Sequence, residues 1–163
     1  MRDILWRIAG FTTPQRVGET ILMSTPSGLG SAKIVAFAAV HDRDLARKFY
    51  RDTLGLTLLG EDRFAMIFDA NGTTLRLTPV AEWTPPQFTV LGWEVTDVET
   101  AVKNLTSAGV QFERYPWMNK GPDDLPIWTS PSGPEVSPAH AGARVAWFKD
   151  PDGNVLSVAQ HRS

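Results

Sequence analysis

The chain has 163 residues, 42% of them hydrophobic, which suits one domain with a sizeable core. Its 16 Lys and Arg stand against 18 Asp and Glu, with no long run of either sign, a balance that argues against nucleic acid or an anionic membrane as partner. The absence of cysteine excludes disulfides, thiolate metal sites and cysteine nucleophiles.

The opening segment, "MRDILWRIAGFTTPQRVGET", has a short apolar patch interrupted by Arg7 and no small-residue cleavage site after it, a poor fit to a secretory leader. No stretch approaches the roughly 20 apolar residues of a membrane helix, so the expected location is the cytoplasm. Residues 1–32 are expected to form an N-terminal extension. Ile4, Leu5, Trp6, Ile8 and Phe11 either dock on the domain or a neighbouring subunit, or belong to an upstream extension with Met23 as an alternative start.

From residue 33 the chain repeats itself. "KIVAFAAVHDRDLARKFYRDTLGLTLL" and "QFTVLGWEVTDVETAVKNLTSAGVQF" both read strand, Asp, helix, Gly, strand, with Asp42 matching Asp97 and Gly55 matching Gly109 after a one-residue slip. Asp42 is placed to cap the first helix, with Leu45, Phe49 and Leu54 near one face and Gly55 as its stop. In the second helix Thr96 and Glu99 suggest a capping box, and Val98, Ala101, Val102, Leu105 and Ala108 make the apolar stripe. Each copy closes with a hairpin, "FDANGTTLRL" and "KDPDGNVLSV", whose Asp, Gly, Pro and Asn residues suit tight turns.

The expected fold is therefore α+β: two βαβββ modules, residues 33–80 and 88–161, forming curved mixed sheets around a central cavity. Two Pro- and Gly-rich stretches, "PWMNKGPDDLPIW" and "SPSGPEVSPAHAG", read as loops, the first interrupting the second module after its second strand.

"VHDRDLARKFYRDTLGLTLL" and "WFKDPDGNVLSVAQ", set in paired βαβββ modules, resemble the vicinal oxygen chelate superfamily, which includes glyoxalase I, bleomycin-resistance proteins and extradiol dioxygenases. The resemblance spans Lys33 to His161 and specifies the fold far better than the activity. It implies a homodimer, and in the metal-dependent members a metal held by one residue on the first strand of each module, seven positions before the capping Asp, and one on each last strand.

Those positions fall on Val35, Val90, Arg76 and Ser157. Two Val, one Ser and one Arg offer no anionic oxygen or imidazole to a divalent ion, and Arg adds a repelling charge. The neighbours Ile34, Ala36, Thr89 and Leu91 are not ligands either. Neither metal nor cofactor is expected at the usual place. His41, His140 and His161 show no helical or strand spacing that would make a pair converge on an ion; a displaced metal site would have to draw on them, and the alternative is a loop histidine that reaches into the cavity as a base.

Strand alternation sends Val35 and Phe37 toward the cavity, and likewise Val90 with Glu94, Arg76 with its neighbouring threonines, and Ser157 with Ala159. Arg76 then either pairs with Glu94 or holds an anionic or carbonyl group of a ligand. Trp117 and Trp128 flank the first loop and are the foremost candidates for stacking on a flat ligand. The leading expectation is a metal-independent small-molecule binding protein. The alternatives are a glyoxalase- or dioxygenase-like metalloenzyme with a displaced metal site, and a non-catalytic dimeric interaction module.

Overall fold

The computed structural model describes residues 28–118 and 122–161. The chain divides into two units, Met1–Ala32 and Lys33–Ser163. In the first, a single 3-10 turn, Leu29–Ser31, is described; Ile4, Leu5, Trp6, Ile8, Phe11 and Met23 lie outside the described residues.

The second unit is α+β, with two four-stranded mixed sheets. Module one contains β1 (Val35–Val40), α1 (Arg43–Lys48), β2 (Thr57–Glu61), β3 (Met66–Ala70) and β4 (Thr73–Pro79). Module two contains β5 (Thr89–Glu94), α2 (Val98–Ser107), β6 (Trp128–Thr129), β7 (Arg144–Lys149) and β8 (Val155–Gln160). The sheets have the same plan, β1-β4-β3-β2 and β5-β8-β7-β6, and in each the first strand runs parallel to the last.

Both helices start on an aspartate. Asp42 accepts from the backbone N–H groups of Asp44 and Leu45, and Asp97 from those of Glu99 and Thr100, satisfying donors that a helix start leaves free. The Thr96–Glu99 capping box does not form, because Asp97 already occupies the cap and the Glu99 carboxylate pairs with Arg144. After Lys48 the first helix widens into a π turn, Phe49–Thr53; the buried residues of the two segments are Ala46 and Tyr50, Phe49 and Leu54 pack partly against the core, and Leu45 is exposed. Gly55 and Gly109, both at positive φ, follow the two helices.

One face of each sheet is dry. Ala38, Val40, Met66, Phe68, Leu75 and Leu77 from module one join Val98, Val102, Ala146, Phe148, Leu156 and Val158 from module two in a single core cluster. The junction between modules is polar as well as apolar. The Tyr50 hydroxyl donates to Asp150 Oδ2 at 2.9 Å, and Asn154 Nδ2 donates to the Ala39 carbonyl at 2.8 Å. Asp150 also accepts from the backbone N–H groups of Asp152 and Asn154, so the DPDG turn fixes its own shape and reaches module one. Burial pushes the Asp150 carboxyl above the usual carboxylate range, against the hydrogen bonds from Asn154 and Tyr50 that pull it down. Burial and the neighbouring Asp150 raise the Tyr50 phenol in turn.

Module two departs from module one in its second strand. Phe112 bridges to Phe148, and the Glu113 N–H donates to the Trp147 carbonyl at 2.7 Å, yet Trp128 is the residue opposite Val145. In an unbroken antiparallel strand residue 115 would stand there. The first loop thus sits inside the second strand rather than after it, and the strand resumes in register beyond the detour.

Candidate functional site

The face of each sheet turned away from the core is where a ligand could rest, and the two faces differ. In sheet one, Phe37, Arg76 and Ile67 form one row across β1, β4 and β3, with Val35 in the next. Val35 and Phe37 are exposed and Arg76 half-buried. Arg76 has no hydrogen bond or ion pair among the described residues, and its charge helps hold the Asp62 carboxyl below the usual carboxylate range, behind the larger effect of the Phe64 and Ala65 backbone N–H groups.

Sheet two carries a cleft of ≈ 710 Å³ on the corresponding face, within the range of small-molecule sites. Its floor follows β8 through Ser157 and Ala159 to His161, in the alternation of a strand. Trp147 lies opposite Ser157 and Val145 opposite Ala159, with Trp128 beyond Val145, so one wall is aromatic. Ser130, Glu135, Ser137 and His140, from the second loop, form the facing side. Gly92 leaves space here: a Cβ on it would meet Ser157 Oγ at 2.9 Å.

The aromatic wall is held by its own contacts. The Trp128 and Trp147 rings are 6.0 Å apart and inclined by 46°. Trp117 meets both edge-on, at 5.9 and 5.7 Å, and stacks on Tyr115 at 5.3 Å. The Trp147 indole N–H donates to Thr89 Oγ1 at 3.1 Å, which fixes the ring orientation. Trp147 also faces an adjoining ≈ 420 Å³ pocket lined by Phe88, Tyr115 and Trp117.

The structure therefore brings together some of the residues picked out from sequence and separates others. Trp128 and Ser157 line the cleft, and Trp117 braces its wall. Glu94 reaches it through His161, whose Nδ1 lies 3.2 Å from Glu94 Oε1. Of the two alternatives for Arg76, the pair with Glu94 is not formed: Glu94 faces His161, and neither Arg76 nor Val35 lines the cleft. Phe37 and Val90 meet instead at a ≈ 580 Å³ cavity between β1 and β5, with Trp83 and Asn154.

Val90 is displaced by a β-bulge. Thr89 pairs with Val155 and Leu91 with Leu156, leaving Val90 as the extra residue, packed against the core. A count back from Asp97 assumes a regular strand, so it reaches Val90 whereas Thr89 is the residue on the cleft. No spacing in the sequence pairs His140 with His161, yet their rings come within 6.0 Å. His161 was within reach of sequence reasoning, as it continues the Ser157, Ala159 alternation by one more step; His140 is the loop histidine for which a place in the cavity was left open, and the path of the Pro-rich loop puts it on the cleft. His41 is elsewhere, with Nδ1 3.1 Å from the Val80 carbonyl. Among the described residues no three His, Asp or Glu side chains converge in a way that could hold a metal ion.

The family model for the glyoxalase/bleomycin resistance protein/dioxygenase superfamily matches residues 31–123, more than half of the chain. The chain belongs to this superfamily. Among solved structures it is similar to a glyoxalase/bleomycin resistance protein/dioxygenase from Alicyclobacillus acidocaldarius, at 16% identity and TM-score 0.59, covering 86% of this chain and 96% of that one. It is similar also to an antibiotic binding protein from a Streptomyces species, at 24% identity and TM-score 0.52, over 81% and 98% of the two chains. A lactoylglutathione lyase from Agrobacterium tumefaciens matches at 16% identity and TM-score 0.52, over 80% and 93%. A search of curated proteins finds no match. At these identities the superfamily likeness speaks for the fold, which hosts both binding proteins and enzymes, so the cleft itself must carry the functional reading.

Proposed function

We propose that this member of the superfamily is a small-molecule binding protein that holds a flat aromatic compound, without a metal, in the cleft of module two. The observation that carries this reading is the aromatic wall of Trp128 and Trp147 facing a cleft of ≈ 710 Å³ with Ser157 at its floor. Such walls provide large apolar contact at small cost in side-chain entropy. Metal independence is supported by the side chains at the positions where the resemblance places metal ligands, Val35, Arg76 and Ser157, with Thr89 on the cleft in place of Val90, none of which is a strong ligand. The antibiotic binding protein among the structural neighbours lends the binding role a precedent on this fold. A cytoplasmic homodimer with residues 1–32 as a separate arm is the arrangement we associate with this role.

The test is equilibrium dialysis against naphthalene- and anthracene-type compounds with EDTA present, alongside elemental analysis of the desalted protein. Saturable binding that persists in EDTA and weakens at least tenfold in Trp128→Ala supports the reading. Stoichiometric metal that survives desalting, with binding lost on chelation, overturns it in favour of a metalloprotein.

A further inference from the structure

The cleft has a polar end that the aromatic wall does not explain. His161 follows Ser157 and Ala159 along the same face, and its ring stands between the Glu94 carboxylate and the His140 ring. An ionised carboxylate only accepts hydrogen bonds, so the 3.2 Å contact with Glu94 Oε1 places the hydrogen on Nδ1. In the neutral ring this leaves Nε2, on the opposite edge, with a lone pair. Glu94, on the exposed end of β5, thus fixes both the tautomer and the direction of a hydrogen-bond acceptor in a residue that lines the cleft.

The charges around it narrow the class of ligand. Among the described residues no Lys or Arg lines the cleft, whereas Glu135 does, and Glu94 pairs with His161. Of these described groups, the fixed charges that an anionic ligand would meet are carboxylates. A neutral group that donates a hydrogen bond meets a ready acceptor.

Building on the aromatic-binding reading, we propose that the cleft selects neutral flat aromatic compounds that bear a hydroxyl. The ring stacks on the Trp128 and Trp147 wall, and the hydroxyl donates to Nε2 of His161. Glu94 is a positioning residue that acts through the imidazole.

Isothermal titration calorimetry with 2-naphthol and its methyl ether, 2-methoxynaphthalene, tests this, because the two share a ring system and differ in the donor. The wild-type protein is expected to bind 2-naphthol at least tenfold more tightly than the ether. His161→Phe is expected to bring the two affinities within threefold of each other. Glu94→Gln should reduce the preference without abolishing ether binding, a pattern that general disruption of the cleft would not produce. Should His161→Phe fail to fold, His161→Ala at this half-exposed position carries the same comparison.

Equal affinities in the wild type, both weakened by Trp128→Ala, would overturn hydroxyl selection and leave aromatic binding standing. A preference that survives His161→Phe would overturn the role of His161. Binding of neither compound would remove both readings together.

Discussion

The two modules share a strand order, a capping aspartate and a closing hairpin, yet among the described residues the faces turned away from the core are furnished differently. On sheet one, Val35 and Phe37 are exposed and Arg76 stands without a partner among the described residues. On sheet two, the equivalent surface is walled by tryptophans and closed by a histidine that a carboxylate orients. Strand pairing does not make this difference, because it is nearly the same in both. The side chains on β6, β7 and β8 make part of it, with Trp128, Trp147 and Ser157 on the cleft. The loops add the rest: one detour inside the second strand of module two brings Trp117 to Trp128, and the segment before β7 brings Glu135 and His140.

The largest expected effect tests whether the comparison concerns one folding unit or two. Phe68 and Phe148 are fully buried and belong to the same core cluster. Phe68→Ala and Phe148→Ala should each destabilise the whole protein by about 3–5 kcal/mol, with a single transition in urea followed by tryptophan fluorescence and circular dichroism. Two separated transitions would mean that the modules unfold independently.

Next is the cleft. Removing the Trp128 ring should weaken binding of 2-naphthol about tenfold or more, on the order of 1.4 kcal/mol, whereas Arg76→Ala should change it less than twofold, both by calorimetry. A large effect of Arg76→Ala would place the site on sheet one, or across both sheets, and undo the contrast between them.

A smaller effect is expected at the module junction. Tyr50→Phe deletes the buried hydrogen bond to Asp150 and should cost about 1–2 kcal/mol in urea denaturation. The same junction gives a pH dependence. The Asp150 carboxyl titrates higher in the folded than in the unfolded protein, so the folded state binds the proton more tightly. Its stabilising contribution is complete below the ordinary value of 3.8 and is lost as pH rises through the higher folded-state value. Asp150→Asn should flatten this part of the stability profile, measured by thermal melts from acid upward; an unchanged slope would assign the dependence to other carboxylates.

Much of the frame was legible because local rules agree with one another. Asp42 and Asp97 cap their helices, the turns fall at Gly72 and Gly153 with positive φ, and the hairpins pair as their spacing implied. Where reading failed, a local irregularity had intervened. A bulge moved Val90 off the cleft, Asp97 pre-empted the box of Thr96 and Glu99, and the first helix buries Ala46 and Tyr50 in place of Leu45. Of the site residues, Ser157, on a regular strand, could be placed by alternation, and His161 could have been; Trp128 was picked out for its place beside the first loop. Those delivered by loops, Glu135 and His140, depend on contacts between distant parts of the chain that no spacing encodes. Trp117 was picked out for its position beside the loop, but its stacking on Tyr115 had no sequence rule behind it.

The interrupted second strand has a consequence for how such a protein changes over generations. Phe112 and Trp128 are both anchored on β7, so the sheet's ladder is indifferent to the number of residues that pass between them. That stretch behaves as a replaceable cassette. Its length and side chains can drift, or be exchanged by design, while the scaffold keeps its register, and each exchange would re-tailor which compounds the aromatic wall admits.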